Sequence, residues 1–331
     1  MTFGVSYLTQ PDLFPARPAG AAWGNVDATI AFAGRRYQVR GIAPGQLARV
    51  AERFGPLLGG AGGSEAPVPL DIFRAPAEEF LHDRPRLWEV TFDLDPQPHA
   101  VRVAGLRFVA RLDWRPRLGA ALWTCVGDDD ELPMVFENFF RLVAAYDLAG
   151  AGGALVHSAA VEVGGGALVF YGPSGAGKST IAERALEAGL RVLSDDLNAV
   201  AVGERSVHDQ EKAHEETARV EKVPFAGTHG GGPEAMAPLP LRALCRLRKG
   251  AVPAATRIGP AAALAGLFAA SPFVNADPYR GPALEASLLA LIGVAPTLDL
   301  TFSRDTPFAE IERAVAPWLS APVRGGSGGR T

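Results

Sequence analysis

The run Ala167-Leu168-Val169-Phe170-Tyr171-Gly172-Pro173-Ser174-Gly175-Ala176-Gly177-Lys178-Ser179-Thr180 governs the reading of this chain. Its first five residues are continuously apolar and of strand length, which predicts a buried strand. The next eight match G-x-x-x-x-G-K-[ST] without a mismatch, and Ile181, Ala185 and Leu186 then recur at helical spacing. Strand, glycine loop and helix in that order are the context in which this motif cradles phosphate. Consecutive backbone N–H groups curl around the anion, and a Cβ at Gly172, Gly175 or Gly177 would block that conformation or the close approach. The start of the helix adds the positive end of its dipole. Lys178 brings an ammonium to the β- and γ-phosphate oxygens, and Ser179 brings a hydroxyl suited to Mg²⁺. The sequence thus predicts a site for ATP and Mg²⁺ made of Gly172, Pro173, Ser174, Gly175, Ala176, Gly177, Lys178, Ser179 and Thr180. The bland alternative is a glycine turn that opens a helix and leaves Lys178 solvated.

Working outward, Leu155 to Val163 has strand character, and Gly164-Gly165-Gly166 turns it back as a hairpin into the strand that feeds the loop. The helix from Lys178 to Ala188 closes at Gly189, and Arg191-Val192-Leu193 is a short strand running into Ser194-Asp195-Asp196. In a parallel sheet the strand C-termini gather at one edge, so these two carboxylates are expected beside the phosphate loop. There they can divide the work, one holding Mg²⁺ and the other taking a proton from an incoming hydroxyl. Asp195 and Asp196 are both candidate catalytic groups: Asp195 as base with Asp196 and Ser179 as metal ligands is one assignment, the exchanged roles of the two aspartates the other, and the structural alternative is that the pair caps a turn. His157 lies on the hairpin strand, either near the γ-phosphate or as a hydrogen-bonded histidine within a sheet. His208 and His214, among Glu204, Glu211, Glu215 and Glu216, read as a solvated polar segment, loop or helix, that reaches Lys222.

The chain has 331 residues, 32 Lys+Arg against 36 Asp+Glu, and a net charge of −4. That balance supplies no positive field for gripping nucleic acid or an anionic membrane. Cys125 and Cys245 stand far apart, which excludes a zinc knuckle or a disulfide framework and suggests reduced thiols. The start of the chain lacks a basic segment before an apolar run, and Ala261–Ala270 is too short to span a bilayer, so a cytoplasmic protein is expected. Residues 1–128 read as a β-rich region of unknown role, with strands at Asp27–Phe32 and Trp88–Leu94, a hairpin within Ala100–Leu112 and a helix at Pro44–Phe54. His82 and His99 have no partners at ligand spacing. Leu132, Val135, Phe136, Phe139, Val143 and Tyr146 trace one apolar helical stripe, with Asp130 ahead as a cap, and the ATP-binding domain is drawn from 129 to 322. A helix around Leu284–Ile292, a strand at Thr297–Phe302 and a helix at Pro307–Leu319 follow, and 323–331 is a tail of disordered composition.

Taken together, Leu155-Val156-His157-Ser158-Ala159, the glycine hairpin, the loop from Gly172 to Thr180 and Leu193-Ser194-Asp195-Asp196 resemble the HPr kinase/phosphorylase C-terminal domain and its relatives among bacterial serine kinases. Phe136-Glu137-Asn138-Phe139-Phe140-Arg141 and Pro224-Phe225-Ala226-Gly227 are similar to segments of that group. The resemblance implies an α/β fold of the phosphoenolpyruvate-carboxykinase type, a bent mixed-sheet P-loop kinase domain. It implies transfer of a γ-phosphoryl group to a hydroxyl on a protein serine or a small molecule, with His157 beside that group. HPr kinases are typically hexameric, so the resemblance admits a homo-oligomer. The family usually has Asp where Pro173 stands, and its downstream Glu/Arg signature is replaced by Arg219-Val220-Glu221-Lys222. The resemblance therefore does not extend to the phosphorylase reaction or to HPr as acceptor. Arg219 and Lys222 read either as cations for a transferred phosphoryl group or as surface charge. Two other classes are compatible with the motifs: an ATP-binding switch without transfer chemistry, and a decarboxylating kinase, which would need a metal-ligand histidine cluster that the sequence lacks.

Overall fold

Period-two alternation builds the first half of the molecule. In β1 (Val26–Phe32) and β2 (Arg35–Ile42), Ile30, Phe32, Tyr37 and Val39 turn inward while their neighbours remain partly exposed. The computed structural model describes residues 22–60, 65–75, 93–105, 107–127, 131–203, 217–232, 234 and 236–319. It is an α/β protein with two mixed sheets, and its contacts fall into two units, Met1–Asp147 and Leu148–Thr331.

The first unit holds β1, β2, helix α1 (Pro44–Phe54), β3 (Val68–Arg74), β4 (Asp93–Gln97), β5 (Ala100–Gly105), β6 (Phe108–Trp114) and β7 (Leu118–Thr124). The strands form one sheet in the order β1-β2-β3-β7-β6-β5-β4. β3 pairs in parallel with both β2 and β7, and the remaining pairs are antiparallel. The expected hairpin is β5–β6, with Gly105 opposite Phe108. Of the strand expected at Trp88–Leu94, residues 88–92 lie outside the described residues, and β4 begins at Asp93. His99 is exposed; His82 and Asp130 lie outside the described residues.

The apolar stripe forms helix α2, Leu132–Gly150. The division between the two contact units falls inside it, after Asp147. Its aromatic face explains why. Phe136 and Phe140 both meet Phe54 edge-on with ring centroids 5.2 Å apart, and Phe140 meets Tyr37 at 4.9 Å. Asp147 is buried and accepts two hydrogen bonds from Arg35, at 2.9 and 2.8 Å, and one from the Tyr37 hydroxyl at 2.9 Å. The helix thus belongs to the core of the first unit for most of its length.

The second unit has eight strands in one sheet. They are β8 (Gly153–Val163), β9 (Gly166–Tyr171), β10 (Val192–Ser194), β11 (Leu197–Gly203), β12 (Thr217–Glu221), β13 (Leu239–Lys249), β14 (Ala254–Arg257) and β15 (Thr297–Phe302). β8 serves three partners: residues 153–157 pair with β11, residues 158–163 pair with β9, and Ala160 and Val161 also pair with β10. β13 likewise meets β12 near its start and then runs parallel to β9 and β15. Helices α3 (Lys178–Glu187) and α6 (Phe308–Leu319) cover one face, where Ile181, Ala185, Ile311 and Phe308 pack on Phe170, Cys245 and Leu298. Helices α4 (Pro260–Ala270) and α5 (Gly281–Val294) complete the unit.

Two expectations change. Thr217–Glu221, read as part of a polar loop or helix, is a strand, because Ala218 and Val220 alternate inward between Thr217, Arg219 and Glu221; residues 204–216 lie outside the described residues. The sheet is mixed, as the expected fold class had it; what changes is the parallel-sheet argument for the position of the acids, since β9 and β10 flank β8 and both run antiparallel to it. The consequence survives the change. Two strands antiparallel to a shared neighbour end at the same edge, so Tyr171 and Ser194 finish close to Ser158 and Ala160 of β8.

Candidate functional site

The loop Gly172–Gly177 leaves the end of β9 and enters α3 as the spacing requires. Gly177 occupies the position before the helix at φ +109°, a conformation that L side chains avoid, and a Cβ there would lie 2.6 Å from the Phe302 ring. Gly175, at φ +73°, has open space around it, so conformation rather than crowding selects that residue. A Cβ at Gly172 would lie 2.9 Å from the Ala176 Cβ. Pro173 and Ser174 are exposed on the loop, and the Ala176 N–H donates to the Pro173 carbonyl at 3.1 Å.

Lys178 is buried, and its Nζ donates to the carbonyls of Gly172 and Pro173 at 3.1 and 3.3 Å. The solvated-lysine alternative is therefore excluded. Burial pushes its ammonium below the ordinary lysine range, while Asp196 and then Asp195 pull it back up. The ends of β9 and β10, both paired to β8, put the loop and the paired acids at the same end of the sheet. Ser179, the next residue, is exposed.

The two aspartates are held differently. Asp195 is buried; its N–H donates to the His229 carbonyl at 3.0 Å, and its Oδ1 accepts the His229 N–H at 2.9 Å. Oδ2 is left for a proton or a cation. Asp196 is more open, and its Oδ1 lies 3.7 Å from His157 Nε2. His157 stands opposite Leu197 on β11, one residue beyond the aspartates. Loop glycines, Lys178, Asp195, Asp196 and His157 thus come together at one edge of one sheet.

Sequence reading marked Pro224-Phe225-Ala226-Gly227 only by its resemblance and did not foresee that this segment wraps Asp195. Residues 225–232 fold back on β10, with Ser194 bridged to Gly230 and Ala226 to Gly231. A Cβ at Gly227 would sit 2.8 Å from Asp195 Oδ1, so this position must be small. His229 Nε2 is 3.7 Å from Glu183 Oε1 on α3. The available signal was Gly227 itself, together with Gly230, Gly231 and Gly232 immediately after an apolar Val-Pro-Phe. Arg219 and Lys222 are engaged elsewhere: Arg219 with Glu221 at 3.0 Å and Lys222 with Glu234 at 2.7 Å.

A cavity of ≈ 410 Å³ adjoins the loop. Gly175, Gly177 and Thr180 form one wall, and Lys249, Phe302 and Arg304 contribute to the other. Among the described residues no group of three or more His, Cys, Asp or Glu side chains is arranged to hold a metal ion by itself. His208 and His214 lie outside the described residues. No helix among the described residues is long and apolar enough to cross a membrane. No protein-family model matches the chain, and no curated protein matches its sequence.

Proposed function

We propose that the chain is a Mg-ATP-dependent kinase, of the HPr-kinase-related kind, that transfers the γ-phosphoryl group to a hydroxyl on a protein serine or a small molecule. The observation that carries this reading is geometric: the glycine loop with buried Lys178 leaves the end of β9, and Asp195 and Asp196 follow the end of β10, where both strands pair antiparallel with β8. The left-handed conformations of Gly175 and Gly177 support a loop whose backbone N–H groups curl around a phosphate. The adjoining cavity of ≈ 410 Å³ is within the range of small-ligand sites and offers room for a nucleoside.

Each residue then has a role. Lys178 turns from its own loop carbonyls to the phosphate oxygens. Ser179 and Asp196 hold Mg²⁺, which when bound neutralises phosphate charge. Asp195 accepts the acceptor's hydroxyl proton on Oδ2 while His229 fixes Oδ1. The acceptor oxygen forms its bond to phosphorus as the bond to the bridging oxygen breaks, and ADP leaves. His157 stands beside Asp196 where it can donate a hydrogen bond to the transferred group.

The test is transfer of label from γ-labelled ATP in a cell extract, comparing wild type with Lys178→Ala and with the double variant Asp195→Asn/Asp196→Asn. A discrete acceptor labelled by wild type alone is the expected result. Tight ATP binding with no acceptor labelled and no turnover would identify a nucleotide-dependent switch instead.

A further inference from the structure

Three polar side chains are buried beneath the aspartates, and no proposed step uses them. Ser158, Ser194 and Asn198 are each 0% exposed. The Asn198 amide Nδ2 donates to the Ser158 carbonyl at 2.8 Å, with Ser158 Oγ at 3.1 Å and the Ser194 carbonyl at 3.3 Å. The Asp196 N–H donates to Ser194 Oγ at 3.2 Å, and the Ser158 N–H donates to the Asp196 carbonyl at 3.1 Å. Ser158 Oγ donates in turn to the Val156 carbonyl at 3.1 Å. One amide therefore ties three points: the residue after His157, the residue before Asp195, and, through Ser158 and Ser194, the backbone of Asp196.

Stability does not call for this arrangement. Asn198 interrupts the apolar run Leu197-Asn198-Ala199-Val200-Ala201, where an aliphatic side chain would suit a buried strand. Its Oδ1 is buried with no hydrogen-bond partner, a cost without a compensating contact. The amide orientation follows from chemistry, because the reverse would aim Oδ1 at two carbonyl oxygens. Buried polar networks of this kind specify geometry more than they add free energy.

We propose that Asn198 is a positioning residue that sets Asp196 against His157 and the phosphate loop through Ser158 and Ser194. The proposal rests on the Mg-ATP reading above, since what it aligns is the carboxylate assigned to Mg²⁺. Among the described residues no hydrogen bond joins the side chains of this hub to the glycine loop or to Lys178, so contacts with phosphate and contacts with metal should respond differently to its loss.

Calorimetry of ATP binding, with EDTA and with Mg²⁺, separates the two. Asn198→Asp keeps the shape but turns acceptor oxygens on three acceptors. Its metal-free ATP affinity should match wild type, while the affinity gained from Mg²⁺ falls by about tenfold, the size of effect seen when outer partners of a metal ligand are removed. Ser194→Ala removes one acceptor from Asp196 and threatens folding less. It should lose about threefold of the same gain, the size of one ordinary hydrogen bond. Wild-type Mg²⁺ gain in both variants, or equal loss of metal-free and Mg²⁺-bound affinity, would overturn the positioning role alone. Wild-type protein that binds no ATP would overturn the parent reading and this one with it.

Discussion

At Gly177 and Lys178 the account comes down to two side chains, one absent and one buried. Placing a methyl at Gly177, at φ +109°, imposes a conformation that costs roughly 1–2 kcal/mol and a 2.6 Å contact with Phe302. Gly177→Ala should therefore lower the melting temperature by a few degrees, at about 2–4 °C per kcal/mol for a unit of this size, and should also abolish ATP binding. The loss of binding must exceed what the small destabilisation explains; intact affinity in this variant would mean the loop does not receive phosphate. Cys245 gives an independent check of the core. It is fully buried beneath α3 and α6, and burial pushes its thiol up to about 12. A thiol reagent at pH 8 should leave Cys245 unmodified in the native protein and modify it after denaturation. The raised native value also fixes a sign: the contribution to stability is present below the unfolded-state value near 9 and is lost as pH rises towards 12. Thermal melts of wild type against Cys245→Ala between pH 8 and 11 should show the wild type falling more steeply.

At the scale of elements, pattern reading succeeded where a period was long enough to see. Pro44–Phe54 and Thr297–Phe302 form as expected, and the P-loop strand, helix α3 and the β8–β9 hairpin differ from expectation by two residues or fewer at any end. It failed at Thr217–Glu221, where Thr, Arg and Glu on the outward face hid two inward apolar residues within a charged segment. For helix α2, amphipathicity shows that the helix is buried without showing against what. Asp147 supplies the answer and a prediction. This carboxylate is held by Arg35 and Tyr37; because Arg35 is partly exposed and also pairs with Glu65, removing Asp147 costs about 1–3 kcal/mol. Asp147→Ala should destabilise the first unit by that order in urea titration, whereas Tyr37→Phe, which leaves the ion pair intact, should cost nearer 1 kcal/mol. Equal effects would place the stabilisation in the hydroxyl rather than the charge.

Across the whole molecule, the site was legible in proportion to how local its parts are. The glycine loop is eight consecutive residues, and its place between a strand and a helix could be read directly; the acids needed only a strand end. That β8 lies between the loop strand and the acid strand was invisible, because strand order is a long-range fact that no local spacing encodes. The fold-back of the covering segment at 225–232 and the amide hub at Asn198 were missed for the same reason, as their partners lie up to 40 residues away. The measurement that bears most directly on the central claim is the affinity for Mg-ATP of wild type and of Lys178→Ala, measured by calorimetry with both proteins shown to be folded. The account predicts saturable one-to-one binding by wild type and a loss of about 10- to 100-fold in the variant, the worth of a charge-assisted hydrogen bond in a buried site. Equal affinity in the two proteins would contradict it.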